Sequence, residues 1–350
     1  MTLQERISAF TKLGTFLQHA TEENPKINDA CESACFSKLQ VEIERSVHYN
    51  GWFTKDNVLF SIQSWANALT EENLLQWTTA YDFTSVSKKT VGIVTAGNIP
   101  LVGMHDFISV LISGHHLLIK QSSNDQKLLP VIAQFLICVE PQFETYLTFT
   151  DQKLENYDAV IATGSNNTAR YFEYYFGKVP HIIRKNRNAV AILTGNESEA
   201  QLEDLGTDIF QYFGLGCRSV SKLFVPKNYD FDYLFKAVFK HQLILDHNKY
   251  KNNYDYNKTV YLMSQIPLLE NGFLVLKEDT GYASPISVLF YEYYDSMALL
   301  KIKLEAEREQ IQCVVSDALT SDSVAFGQTQ HPQLWDYADG VDTIAFLIGL

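Results

Sequence analysis

From Val91 onward, short β-rich runs alternate with apolar helical runs, and this alternation limits the folds open to the chain more than any other feature. Val91-Gly-Ile-Val-Thr95 reads as a strand ending in Ala96-Gly97-Asn98, with Pro100 where a helix begins. That helix carries Phe107, Val110 and Leu111 and stops at Gly114; Leu117-Leu-Ile-Lys120 is a second apolar strand. The unit spans about thirty residues, the size of a βαβ crossover. Ser122-Ser-Asn-Asp125 then caps a helix from Leu128 to Val139, and Tyr146-Leu-Thr-Phe149 leads to a buried strand, Tyr157 to Ala162. Thr163-Gly164-Ser165 precedes a helix from Ala169 to Phe176. This order predicts a doubly wound parallel sheet that binds its ligand at the carboxyl ends of the strands.

The first ninety residues read as helices. Thr2 and Glu5 form a capping box before Ile7, Phe10, Leu13 and Leu17, while Thr54 and Thr70 open further helical series. From about residue 188 a second α/β region begins with the strand Ala189 to Leu193 and a helix capped by Ser198 and Gln201. That helix ends at Gly214-Leu-Gly-Cys217, and Ser221 to Pro226 is a strand leaving the same point. Tyr250 to Tyr256 reads as a polar loop, Ile286 to Phe290 as a strand, and Ser296 to Glu309 as a helix. No internal repeat or low-complexity segment interrupts the chain.

Its 350 residues, 46% hydrophobic and 20% charged, suffice for two domains with separate cores and exclude disorder. No run of about 18 apolar residues free of charge predicts a membrane span, and the amino terminus lacks a signal-peptide pattern, so a cytoplasmic location is expected. A net charge of −13 repels nucleic acid and anionic bilayers over most of the surface, so any nucleotide must be held locally. Five cysteines make no evenly numbered framework, and free thiols are expected. Cys31 and Cys35 stand four apart on a helix, but no second ligand pair follows at a zinc spacing, so no metal site is expected.

Three loops are chemically suggestive: Thr95 to Pro100, Thr163-Gly164-Ser165, and Gly214-Leu-Gly-Cys217. A Gly-Ser pair opening a helix offers backbone N–H groups and a hydroxyl to a pyrophosphate, and is equally an ordinary helix cap. Lys120 at a strand end suits a ribose or phosphate, or is a solvated strand terminus. A free cysteine is more often a small buried residue, but Gly214 and Gly216 let a backbone approach a ligand, and Arg218 beside Cys217 could favour the thiolate.

Taken in order, these segments resemble the aldehyde dehydrogenase superfamily, and within it the acyl-CoA reductases similar to the LuxC subunit of fatty-acid reductase. The likeness runs from about residue 90 to 315. Gly97-Asn98-Ile-Pro100 resembles the superfamily's asparagine-proline turn, and Gly114 to Ser123 its glycine-to-lysine strand. Thr163-Gly164-Ser165 resembles its cofactor loop, Gly214-Leu-Gly-Cys217 its nucleophile segment, and Ser284-Pro285 to Phe290 its later proline-containing strand. Such a resemblance implies an aldehyde dehydrogenase-like α/β fold, with helices and a Rossmann-like cofactor domain over residues 1–187 and a catalytic α/β domain over 188–350. It implies Cys217 as nucleophile, Asn98 as oxyanion donor, and Lys120, Ser122, Ser123, Gly164 and Ser165 as holders of NADP(H), with a coenzyme A thioester as substrate.

Departures from the superfamily pattern sharpen the expectation. Hydrolytic members carry a water-activating glutamate where this chain has Ile182 to Ala189, a run without a carboxylate, so a thioester on Cys217 should wait for another thiol. The carboxylate many members place three residues after the cofactor lysine is Ser123 here, which favours NADPH over NADH. The expected reaction is reduction of a fatty acyl-CoA to its aldehyde. The alternatives are an oxidising NAD(P)-dependent aldehyde dehydrogenase and a catalytically silent acyl-binding subunit. The short C-terminal tail argues against the superfamily's tetramer-forming arm; a homo-oligomer and an acyl-transferring protein partner stay open.

Overall fold

The computed structural model describes residues 1–27, 29–319 and 323–350. They form two compact units, Met1–Lys185 with Gln333–Leu350, and Asn186–Pro332. The last eighteen residues therefore fold with the first unit, which corrects the expected 188–350 domain. Leu334, Ile344 and Leu347 carry apolar surface that is buried in the first unit's core.

In the first unit, helices α1 (Leu3–Thr21), α2 (Ala30–Tyr49), α3 (Lys55–Ala68) and α4 (Glu71–Thr79) precede the sheet. The Thr2–Glu5 capping box forms, and Thr54 and Thr70 cap α3 and α4 through their hydroxyls. Then come β1 (Thr90–Val94), α5 (Met104–Ile112), β2 (His116–Lys120), α6 (Leu128–Val139), β3 (Leu147–Phe149), β4 (Ala159–Thr163), α7 (Asn166–Phe176) and β5 (His181–Arg184). The strands make a parallel sheet of order β3-β2-β1-β4-β5. The order reverses beside β1, so the loops after β1, β2 and β4 surround the switch point where doubly wound sheets bind ligands. Contrary to the expected free thiols, Cys31 is bonded to Cys138, joining α2 to α6 with 6.3 Å between Cα atoms. These partners lie 107 residues apart, and only helix packing brings them together. Cys35, four residues from Cys31, is buried in the helical core.

The second unit holds β6 (Asn188–Ile192), α8 (Glu199–Phe210), β7 (Val220–Pro226), α9 (Phe231–Ala237), α10 (Asn248–Met263), β8 (Leu269–Glu270), β9 (Val275–Glu278), β10 (Val288–Tyr294), α11 (Met297–Ala306) and β11 (Ile311–Val315); α12 (Thr343–Ile348) belongs to the first unit. The sheet order is β11-β6-β7-β10-β9-β8, with only the β8–β9 pair antiparallel among the described residues. Apolar clusters cover both faces, Leu202, Leu205 and Leu234 in one and Leu300 and Leu304 in another. The expected polar loop at Tyr250 is helical. Tyr250, Tyr254 and Asn257 recur at one-turn spacing on its buried side and bond Phe273 O, Glu270 and Ile286 O. Three tertiary contacts thus outweigh a composition that by itself favours a loop.

Candidate active site

In the first unit, the loops leaving β1 and β2 are built against each other. Thr95 N–H donates to Lys120 O at 3.1 Å, and Ser122 N–H donates to Thr95 Oγ1 at 3.3 Å. A Cβ on Gly97 would lie 2.6 Å from Ser122 Oγ and 2.8 Å from Ser122 Cβ, so only glycine permits this approach. Asp125 reaches across from the second loop, its Oδ2 accepting Leu101 N–H at 2.9 Å. Leu101 has a left-handed φ of 56°, which no helix can contain. For that reason α5 starts at Met104, with Gly103 as its N-cap, and not at Pro100 as the sequence predicts. Likewise α6 is preceded by Lys127 without a side-chain cap, because Ser122 and Asp125 are used elsewhere: Ser122 Oγ accepts Asn124 N–H at 3.3 Å, and Asp125 holds Leu101.

Asn98 and Ser123 are exposed in these loops, while Lys120 and Ser122 are half-buried. After β4, Gly164 N–H donates to Arg184 O at 3.3 Å, and Ser165 caps α7 by accepting Thr168 N–H at 3.2 Å. The capping alternative at Ser165 is therefore realised; a cap leaves the positive end of the helix dipole facing the strand end. Asp125 is the sole carboxyl in the three loops 95–103, 121–127 and 164–165. Burial pushes it up to about 7, the Leu101 bond pulling the other way. What remains at these strand ends is Lys120 and Lys127, side-chain amides, hydroxyls and backbone N–H groups, a donor set that suits the phosphates and ribose of a dinucleotide. The sequence reading takes Asp125 only as part of a helix cap; its partner 24 residues upstream was not legible.

In the second unit, α8 runs into a 3-10 turn, Gln211–Gly214, where buried Tyr212 and half-buried Phe213 adopt left-handed φ values of 55° and 58°. Such conformations cost on the order of 1–3 kcal/mol each and collect at functional sites. The strained reversal delivers the chain into a tight turn. Ser219 N–H donates to Gly216 O at 3.0 Å and Gly216 N–H to Ser219 Oγ at 3.2 Å, leaving Cys217 and Arg218 at its tip. Cys217 is exposed there. Arg218 also reaches Cys313 on β11, whose thiol burial pushes up to about 12 while Arg218 opposes the rise. Burial likewise raises the Cys35 thiol.

Over residues 72–254, more than half its length, the sequence matches the family described as acyl-CoA reductase (LuxC). The chain belongs to the acyl-CoA reductase (LuxC) family. The matched stretch contains Asn98, Lys120, Ser122, Ser123, Gly164, Ser165 and Cys217. Solved structures agree on the fold. Aldehyde dehydrogenase 21 from Physcomitrella patens, in complex with the reaction product succinate, is 14% identical with a TM-score of 0.63, over 100% of this chain and 84% of that one. Indole-3-acetaldehyde dehydrogenase AldA of P. syringae, a mutant in complex with NAD+, is 14% identical with a TM-score of 0.62, over 92% and 74%. A mutant of proline utilization A from Bradyrhizobium japonicum is 16% identical with a TM-score of 0.63, over 90% of this chain but 36% of that one. No curated protein matches the sequence. This acyl-CoA reductase family member is thus an oxidoreductase of acyl-CoA and aldehyde chemistry with an aldehyde dehydrogenase-like α/β fold. None of its described helices is long and apolar enough to cross a membrane.

Proposed function

We propose that this LuxC-family chain reduces a fatty acyl-CoA, or another acyl thioester, to the aldehyde with NADPH, through an acyl group carried on Cys217. The observation that carries the reading is the state of the five cysteines. Cys31 and Cys138 are bonded to each other, Cys35 is buried, the Cys313 thiol is pushed up to about 12, and of the three free cysteines Cys217 is the one that stands exposed, at the tip of a tight turn. The Cys217 thiolate attacks the thioester carbonyl, a Cys217 S–C bond forms, and coenzyme A leaves as its thiolate and takes a proton. The Cys217 backbone N–H and the Asn98 amide stabilise the oxyanion, the latter role resting on the superfamily resemblance. With no carboxylate between Ile182 and Ala189 to activate water, the acyl group is kept from hydrolysis. Lys120, Ser122, Ser123, Gly164 and Ser165 would hold the dinucleotide, which would supply the hydride for the acyl carbon; the Cys217 S–C bond then breaks, releasing the aldehyde and returning the Cys217 thiolate. AldA's complex with NAD+ supports a nicotinamide cofactor for this fold. Ser123 in place of a carboxylate, with Lys120 nearby, supports NADPH, since a hydroxyl and an ammonium accept a 2′-phosphate that a carboxylate repels.

The experiment is to mix the protein with NADPH or NADH and acyl-CoAs of increasing chain length, and to follow absorbance of the reduced cofactor with intact mass. NADPH oxidation and a hydroxylamine-sensitive acyl adduct are expected, both lost in Cys217→Ala. An adduct on Cys217→Ala would refute the nucleophile. Equal kcat/KM for both cofactors, or a preference for NADH, would refute the NADPH assignment, and turnover only from aldehyde with oxidised cofactor would reverse the direction.

A further inference from the structure

Asp208, in the last turn of α8, is a fully buried carboxylate with three donors. Gly327 N–H reaches it at 2.8 Å, Thr329 N–H at 3.0 Å and Thr329 Oγ1 at 2.8 Å. Burial raises its pKa against the pull of these bonds. A carboxylate taken out of water and surrounded by donors holds its partners tightly, because removing it leaves several buried N–H and O–H groups without an acceptor. What it holds is the turn at Gly327–Thr329. The next residue, buried Gln330, donates from Nε2 to Ser219 Oγ at 3.3 Å, and that same oxygen accepts Gly216 N–H. Both acceptor positions of the hydroxyl are then filled, one from inside the Cys217 turn and one from a segment 111 residues away.

We infer that Gln330 is a positioning residue for Cys217, acting through Ser219 and held in place by Asp208. The inference rests on Cys217 being the nucleophile. A turn closed less firmly would give the sulfur a wider range, whereas attack on a carbonyl needs the reacting atoms at about 3–3.5 Å in one orientation. Closing the turn at both ends through one hydroxyl, and anchoring that hydroxyl to a carboxylate-held loop, narrows the range open to the sulfur. The last bonds of this chain, from Gln330 to Ser219 and from Ser219 to Gly216, join no two strands of the sheet; they end on the turn.

The test compares Gln330→Leu, Gln330→Met, Ser219→Ala, Ser219→Thr and Cys217→Ala in the full chain. Single-turnover acylation by decanoyl-CoA is read by intact mass, alkylation of Cys217 by iodoacetamide by peptide mass, and folding by thermal melting. Gln330→Leu, Gln330→Met and Ser219→Ala are expected to slow acylation on the order of 10-fold per folded molecule, with 10²-fold as the upper range for a displaced reacting group. Their iodoacetamide alkylation should change less, since a small reagent makes weaker demands on orientation, and Ser219→Thr should regain most of the acylation rate. Wild-type acylation rates in Gln330→Leu, Gln330→Met and Ser219→Ala, with Cys217→Ala inert, would overturn the inference and leave the nucleophile standing, whatever the melting temperatures. Acylation of Cys217→Ala would overturn both.

Discussion

A carboxyl group with one hydrogen bond and almost no water is a proton-linked component of the fold, and Asp125 is such a group. Its pKa rises from about 4 in the unfolded chain to about 7 in the native one, desolvation being the main cause. The native state therefore keeps a proton that the unfolded state gives up, and the stability from Asp125 is full below about pH 4 and lost as pH rises through 7. Between those limits the loss is about 1.4 kcal/mol per pH unit. Melting temperatures of wild type and Asp125→Asn should accordingly converge or cross as pH rises from 4 to 7, the wild type losing ground; parallel curves would refute the linkage. Asn98 presents a second residue-scale question, because its side chain is not the cap of α5, a position that Gly103 occupies. Asn98→Ala should lower kcat by about 10²- to 10³-fold if the amide serves the oxyanion. Near-normal turnover with a lowered melting temperature would remove that role.

Elements were legible where one residue type dictates local geometry. Thr2, Thr54, Thr70, Ser198 and Ser296 cap the helices that the sequence reading assigns to them, and α6 spans Leu128 to Val139 as predicted. The sequence reading leaves β5 with its polar ends unassigned, and misreadings occurred where distant partners decide: the helix at Asn248, and the start of α5, which waits until Met104 because Asp125 holds Leu101 in a left-handed turn. The candidate cofactor loops behave as one element, since those after β1 and β2 touch at Gly97 and Ser122. Gly97→Ala would drive a methyl to within 2.8 Å of Ser122 Cβ, an atom that no rotamer change can withdraw. Such overpacking costs about 1–3 kcal/mol. Because the displaced loop carries Ser122 and Ser123, KM for NADPH should rise on the order of 10-fold, measured with saturating acyl-CoA. An unchanged KM would show that these serines do not hold the cofactor.

For the molecule as a whole, the departure from expectation is the return of the C-terminal segment to the first unit. Trp77 Nε1–H donates to Tyr337 Oη at 2.7 Å, Tyr81 Oη lies 2.7 Å from the same oxygen, and Arg184, paired with Asp106 at 2.5 Å, donates to Thr343 Oγ1 at 3.0 Å. Tyr337→Phe leaves the Trp77 N–H without this acceptor and should cost about 1–3 kcal/mol, read as a lowered denaturant midpoint at constant slope. A loss within about 0.5 kcal/mol, the range of an ordinary surface change, would show that the segment is held by its apolar contacts instead. By itself the sequence determined the alternation that makes two largely parallel α/β sheets, the five cysteines, the three strand-end loops and the order of motifs that resembles the acyl-CoA reductases. These rest on local periodicity, turn chemistry and spacing, which act over a few residues and survive without knowledge of the rest of the chain. Tertiary structure alone decided that Cys31 meets Cys138, that Asp125 holds Leu101, that Asp208 and Gln330 brace the Cys217 turn, and that residues 333–350 belong with the first. In each case the deciding energy is burial or a hydrogen bond between groups 24 to 260 residues apart, and no local pattern encodes a partner at such distances.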